Sequence, residues 1–476
     1  MFSGKKKKYN LTKGPILKSL LLLAIPIVLS NILHTAYQIT DTFWVGRLGA
    51  PAVAAVSMSF PIIFLLISLG GGLAIAGTVL VAQYKGKKDY ENINYASGQT
   101  FLMMFFTALI LTIIGYTLSS PLIKLMGADS LVLPEAISYM QISFLGIIFM
   151  FIFFVFQSLM RGVGDAKIPL FIVLSTVILN LFLDPLFILG YSIIPAFGVA
   201  GAAIATVFTE GLSAIIGMII LFNGKHGIRL KIKHLKPNFK TMKKIFRLGF
   251  PASIEQSTRS LGMTIMIFIV ASFGTMVTAA YGIGGRILSF VIIPALGLSM
   301  ATSTLVGQNI GAGKIKRAEK VATLSMKISF FSLSIMALVL FVFAKDISHF
   351  FIPQDINVIN MSADFIRIMA VSFGFVGIQI VLNGVLRGAG DTFVPMVLAV
   401  ISLWILRVPL AYCLSNFTSL SYNGIWWAFP IANIVSFVFT YIWYKKKSNW
   451  KKRKLTEEIR LAGEATEETI IDEGLS

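Results

Sequence analysis

Long apolar stretches separated by short polar breaks run along the whole chain. A helix needs about 20 mostly apolar residues to cross a bilayer. Twelve stretches meet that length, at roughly 17–44, 52–83, 95–122, 134–160, 168–190, 198–222, 246–271, 277–308, 321–344, 363–386, 393–415 and 423–444. The pattern predicts an all-α membrane protein of twelve transmembrane helices. Pro26, Pro61, Pro185, Pro251, Pro294 and Pro409 fall inside these stretches and predict bends, because proline removes a backbone donor and crowds the preceding turn. The start of the chain is basic, but the apolar run behind it is long and lacks an A-x-A cleavage pattern. It reads as a retained first span and not a leader peptide.

Composition agrees: 56% of residues are apolar and 13% charged, with mean hydropathy +0.82. A soluble domain has about 45–50% apolar and about 25% charged residues. The 41 Lys and Arg against 21 Asp and Glu give a net charge of +20, which in a soluble protein would suggest nucleic acid. Their placement argues otherwise, and no nucleic acid partner is expected. With the N-terminus inside, 34 of the 41 lie on inner segments, whereas Arg47, Lys124 and Lys345 lie on outer loops. Cytoplasmic loops collect positive charge, so both termini are expected in the cytoplasm. Cys413 is the one cysteine, which leaves neither an intrachain disulfide nor a CxxC metal site.

The chain also repeats itself. Shifted by 225 positions, residues 24–86 align with 249–311 without a gap, and 15 of those 63 pairs are identical. Pro26 meets Pro251, Gly72 meets Gly297, Gln83 meets Gln308 and Gly86 meets Gly311. RGVGD at 161–165 recurs as RGAGD at 387–391. Each repeat holds six spans, an even number, so both halves enter and leave on the same side and relate by an axis along the membrane normal. The expected organisation is an N-lobe at 1–222, a cytoplasmic linker at 223–245, a C-lobe at 246–444 and a cytoplasmic tail at 445–476. Two matched six-helix lobes that rock about a central cleft are the arrangement of a secondary transporter.

Five motifs, in order, carry a family resemblance: AYQITDTFWVGRLG at 36–49, the twin RGxGD turns, NLFLDP at 180–185, GVAGAAIAT at 198–206 and LRVPL at 406–410. Over residues 15–445 the chain resembles the multidrug and toxic compound extrusion (MATE) family, nearest its DinF-like branch. The resemblance implies a two-lobe antiporter in a prokaryotic cell membrane, expelling organic, mostly cationic compounds in exchange for inward Na+ or H+. A monomer without a resident cofactor is expected. The alternative is a lipid-linked oligosaccharide flippase with the same two-lobe plan; such carriers usually have a more basic cavity and often extra spans. An enzyme would need a ligand or catalytic constellation, and four scattered histidines with one cysteine supply none. No GK[ST] loop cradles a phosphate, so ATP is not the expected energy source.

Candidate site residues follow. Asp41 lies deep in span 1 with no Lys or Arg one turn away, and a lone carboxylate there must bind a cation or carry a proton. Asn180 and Asp184 are four apart, on one helix face, and offer an amide oxygen and a carboxylate to a hard cation such as Na+. The resemblance adds Thr206 to Asp41, Asn180 and Asp184 in an N-lobe cation site. The repeat places Met266 opposite Asp41, and apolar residues opposite Asn180 and Asp184, so the second lobe lacks these acids. Glu255 and Arg259 have the i,i+4 spacing of a helical ion pair. His34, Tyr37, Gln38, Glu255, Arg286 and Arg407 are candidate cleft-lining residues, and Glu210 reads as a packing partner. Sequence leaves Na+ and H+ equally open.

Overall fold

The computed structural model describes residues 10–192 and 194–447, so most of the tail expected at 445–476 lies outside the described residues. Apart from an isolated bridge between Tyr191 and Ile194, the described residues form no strand. The first lobe contains α1 (Ile16–Gly46), α2 (Ala50–Lys87), α3 (Tyr90–Leu125), α4 (Leu133–Val163), α5 (Lys167–Leu189) and α6 (Val199–Asn223). The second contains α7 (Phe239–Ala271), α8 (Thr275–Gly311), α9 (Ile315–Val342), the short α10 (Ala344–Phe351), α11 (Ile356–Ala370), α12 (Phe373–Gly388), α13 (Phe393–Val400), α14 (Val408–Asn416) and α15 (Tyr422–Ile442).

Among the described residues ten helical segments are long and apolar enough to cross a membrane, and the pair α11–α12 makes an eleventh. α7 completes the twelve. It is 33 residues long but less apolar, because Glu255 and Arg259 lie in its middle and Lys243, Lys244 and Arg247 in its first turns. It also starts at Phe239, seven residues before the expected 246, where Asn238 caps it by accepting from the Thr241 amide at 2.9 Å.

Two spans depart from uniform helix. The tenth bends by 55° between α11 and α12, with no proline there. Instead Ser372 Oγ donates to the Met369 carbonyl at 3.0 Å and accepts from Asn433 Nδ2 at 3.1 Å, so a side chain occupies the broken turn. The eleventh has a wide π turn at Ile401–Arg407 between α13 and α14. Pro409, two residues on, cannot donate to the carbonyl four positions back, which loosens the ladder at that point.

Each lobe has its own apolar core, and a third cluster fills the seam. The leading helices cross over at the seam. Leu20, Leu23 and Ile27 of α1 pack with Leu298, Leu305 and Val385 of the C-lobe, whereas Ile245 and Leu248 of α7 join the N-lobe core. Glycine permits the closest approaches. A Cβ on Gly72 would collide with the Ser253 backbone, and one on its repeat partner Gly297 would collide with Val28, which is Ser253 less 225 positions. The duplication visible in sequence is therefore a pseudo-twofold in the packing.

The inter-lobe linker is docked on the N-lobe. Buried Gln99 of α3 donates to the carbonyls of His234 (3.0 Å) and Lys236 (2.7 Å) and accepts from the Asn238 amide (3.0 Å). Lys233 Nζ lies 2.6 Å from Glu91, and the donated hydrogen bond holds the Glu91 carboxyl below its usual range.

Candidate functional site

Helical spacing places His34, Tyr37, Gln38 and Asp41 along one side of α1. Tyr37 and Asp41 meet α6. Thr206 Oγ1 donates to Asp41 Oδ2 at 3.4 Å, and the Tyr37 hydroxyl lies 3.0 Å from Thr209 Oγ1. α5 supplies the third wall: Asn180 Nδ2 donates to Asp184 Oδ1 at 2.9 Å, and both residues are 0% exposed. The Asp41 and Asp184 carboxyls lie within hydrogen-bonding reach of each other. Residues from three helices, 143 positions apart between Asp41 and Asp184, thus converge in one pocket.

Its hydrogen bonding is incomplete in an informative way. Asp41 Oδ1, Asp184 Oδ2 and Asn180 Oδ1 are buried oxygens without a donor. Buried acceptors left unpaired cost free energy. Two carboxyls and an amide oxygen with spare lone pairs fit a small hard cation or a proton held between the carboxyls. Glu210, one turn after Thr206, is half-buried and close enough to Asp41 and Tyr37 to act on both electrostatically, so it belongs to the rim of this pocket. Spacing in the sequence gave Glu210 no more than a packing role; the signal available was its position one turn from Thr206.

The C-lobe presents a different chemistry. Glu255 is 0% exposed, with Arg387 Nη2 at 2.6 Å, Arg259 Nη2 at 3.1 Å and Asn383 Nδ2 at 3.5 Å. Two guanidiniums close this carboxylate to other cations, and it does not line an open cleft. The i,i+4 partner Arg259 is the longer contact. The shorter one comes from the arginine of the second RGxGD turn, which sequence spacing did not link to Glu255. By the same 225 and 226 offsets, Glu255, Arg259 and Arg387 correspond to Ser30, His34 and Arg161 in the N-lobe. There the basic partners persist without an acid. Arg161 Nη1 donates to Gln157 Oε1 at 3.3 Å, and Arg161 lies near enough to His34 to act on it.

Arg407 lies beside the π turn, inside the C-lobe. Its Nη2 donates to Asn433 Oδ1 at 2.6 Å and its guanidinium sits 4.7 Å from the Phe429 ring centre. Gln38 and Arg286 are exposed.

Known proteins share this architecture. The MatE family model matches residues 26–186 and again 251–413. The chain is 30% identical over 453 residues to the probable multidrug resistance protein YoeA of Bacillus subtilis, covering 94% of this chain and 97% of that one. It is 28% identical to the probable multidrug resistance protein NorM of Thermotoga maritima, covering 94% and 96% of the two chains. Among solved structures, a MATE protein in the straight conformation superposes with a TM-score of 0.87 at 25% identity, covering 94% of this chain and all of that one.

Proposed function

This chain belongs to the MatE family of membrane transporters, and we propose that it is a multidrug efflux antiporter that exchanges inward Na+ or H+ for an outgoing organic cation. The observation that carries this reading is the Asp41–Asp184 carboxyl pair with its donor-less buried oxygens in one lobe. A site of this kind holds its ion from one side of the membrane, releases it to the other, and is available to a cationic cargo only when the ion has gone. Binding one ligand then raises the free energy of binding the other, which is the condition for exchange.

Alternating access is supported by where the lobes touch. Among the described residues, hydrogen bonds between the lobes lie at the basic end of the bundle and at mid-height, as in Ser253 Oγ to the Leu69 carbonyl at 2.6 Å. With the basic end in the cytoplasm, this arrangement closes the cleft inward and leaves its outer half free. Exchange of one inward monovalent cation for one outgoing monovalent cation moves no net charge, so the concentration gradient of the ion drives it, at about 1.4 kcal/mol for each tenfold of gradient.

The test is transport by purified protein in liposomes, with Na+ and H+ gradients imposed separately and a fluorescent organic cation such as ethidium as cargo. One of the two gradients is expected to drive efflux. Asp41→Asn and Asp184→Asn are each expected to abolish gradient-driven efflux while leaving the protein folded, since the isosteric amide keeps the shape of each side chain. Full coupled efflux in both variants would overturn the reading.

A further inference from the structure

We infer that Gln83 and Gln308, with the first glycine carbonyl of each RGxGD turn, form a paired latch that holds the basic end of the cleft shut and must break for the carrier to open there. Gln83 of α2 donates through Nε2 to the Gly388 carbonyl at 3.2 Å, from the N-lobe to the C-lobe. Gln308 of α8 donates through Nε2 to the Gly162 carbonyl at 2.9 Å, in the reverse direction. The two bonds are images of each other under the internal repeat, and both glutamines are buried.

The accepting carbonyls explain why a glutamine is there. Gly162 and Gly388 lie in the last turns of α4 and α12, where helix carbonyls have no donor four residues ahead. Each lobe supplies the missing donor to the other. When the lobes separate, water can cap the same carbonyls, so the bond is exchanged and not simply lost. A latch of this kind closes firmly yet reopens, as a gate must.

The backbones beneath the latch are in contact. A Cβ on Gly86 would meet the Gln308 carbonyl, and one on Gly311 would meet the Gln83 carbonyl, so the ends of α2 and α8 cross without side chains between them. A strap from the start of the chain lies over the same seam. Leu11 is buried against Gly164 of the first RGxGD turn, the Thr12 carbonyl accepts from Lys314 Nζ at 2.9 Å, and the Gly14 carbonyl accepts from Arg317 Nη2 at 2.8 Å. N-lobe turn and C-lobe helix are thereby tied by one short segment.

The gate's direction toward the cytoplasm rests on the transport reading above, but its existence does not. In a Cys413→Ser background, spin labels at Lys167 and Phe393, which follow the two RGxGD turns, report the separation of the lobes at this end. Distances are read in lipid nanodiscs without cargo or ion gradient, so the absence of coupled transport would leave this experiment unaffected. The otherwise unaltered protein is expected to show one short, narrow distance. Gln83→Leu or Gln308→Leu keeps the bulk and removes the donor, and is expected to raise a second, longer population about fivefold; the double variant raises it roughly twenty-fivefold. Gly86→Val, which wedges the crossing, and Leu11→Ser, which touches neither glutamine, are expected to shift the same way. Short distances unchanged in the two glutamine variants and in their double, or a long distance dominant before any gate substitution, would overturn the inference.

Discussion

Glu255 is paired as a structural strut is, in contrast to the carboxyls of the proposed ion site. A carboxylate that is fully buried and held by Arg387 at 2.6 Å and Arg259 at 3.1 Å has its charge answered within the protein. Asp184 is buried and Asp41 half-buried, and among the described residues neither forms an ion pair, so in the proposed function their charge is left for a mobile ion to answer. The contrast sets a test. Arg387→Met leaves Glu255 with the half-exposed Arg259 as its one cationic partner, and is expected to cost about 3–5 kcal/mol, because breaking a buried pair strands a charge. Replacing both members, as Glu255→Met with Arg387→Met, removes the stranded charge and is expected to recover most of that loss. Thermal unfolding in detergent reads both; equal destabilisation by single and double variants would show that the pair is not the source. Sequence exposed half of this cluster. The i,i+4 spacing linked Glu255 to Arg259, but nothing local links it to Asn383, 128 positions away, or to Arg387.

At the scale of elements, the legible features are those with a local cause. The number of spans and the repeat register follow from apolar runs and a fixed offset along the chain, whereas the start of α7 at Phe239, seven residues before the apolar run alone predicts, is set by short-range hydrogen bonding at Asn238. The 55° bend before α12 and the docked linker have no such local cause, because each depends on one side chain from a distant helix: Asn433 for the bend, Gln99 for the linker. Gln99→Leu leaves two carbonyls and one amide of the linker without their partner. Hydrogen exchange over residues 229–238 is expected to quicken by at least about fivefold, from about 1–3 kcal/mol of lost satisfaction. Glu91 adds a pH dependence of defined sign. Its carboxyl is held low by the Lys233 ammonium, so its contribution to linker docking is present above the ordinary carboxylate range and is lost as pH falls through its folded value. Protection of the linker is expected to stay level from about pH 8 to 5 and to decline below about pH 4, modestly, since the pair is exposed. A decline between pH 8 and 6 would point to another group.

For the whole molecule, the duplication has produced two lobes with one shape and opposite electrostatics. Shared positions such as Gln83 and Gln308, Gly72 and Gly297, and the two RGxGD turns lie at the seam, where both lobes must match. Divergent positions lie inside the lobes, where Asp41 answers to Met266 and Ser30 to Glu255. In the proposed exchange, one lobe holds the ion while both move. Cargo binding to purified protein is therefore expected to displace the coupling ion from a single site. Mixing ethidium with the protein in weakly buffered, sodium-controlled solution is expected to release H+ or Na+ in proportion to cargo bound. Asp41→Asn and Asp184→Asn are expected to bind ethidium with no such release. Glu255→Gln, whose carboxylate is already committed to two arginines, is expected to release as much as the unaltered protein, even where its stability is reduced. Loss of ion release in Glu255→Gln, with release intact in the two aspartate variants, would move the coupling site to the other lobe.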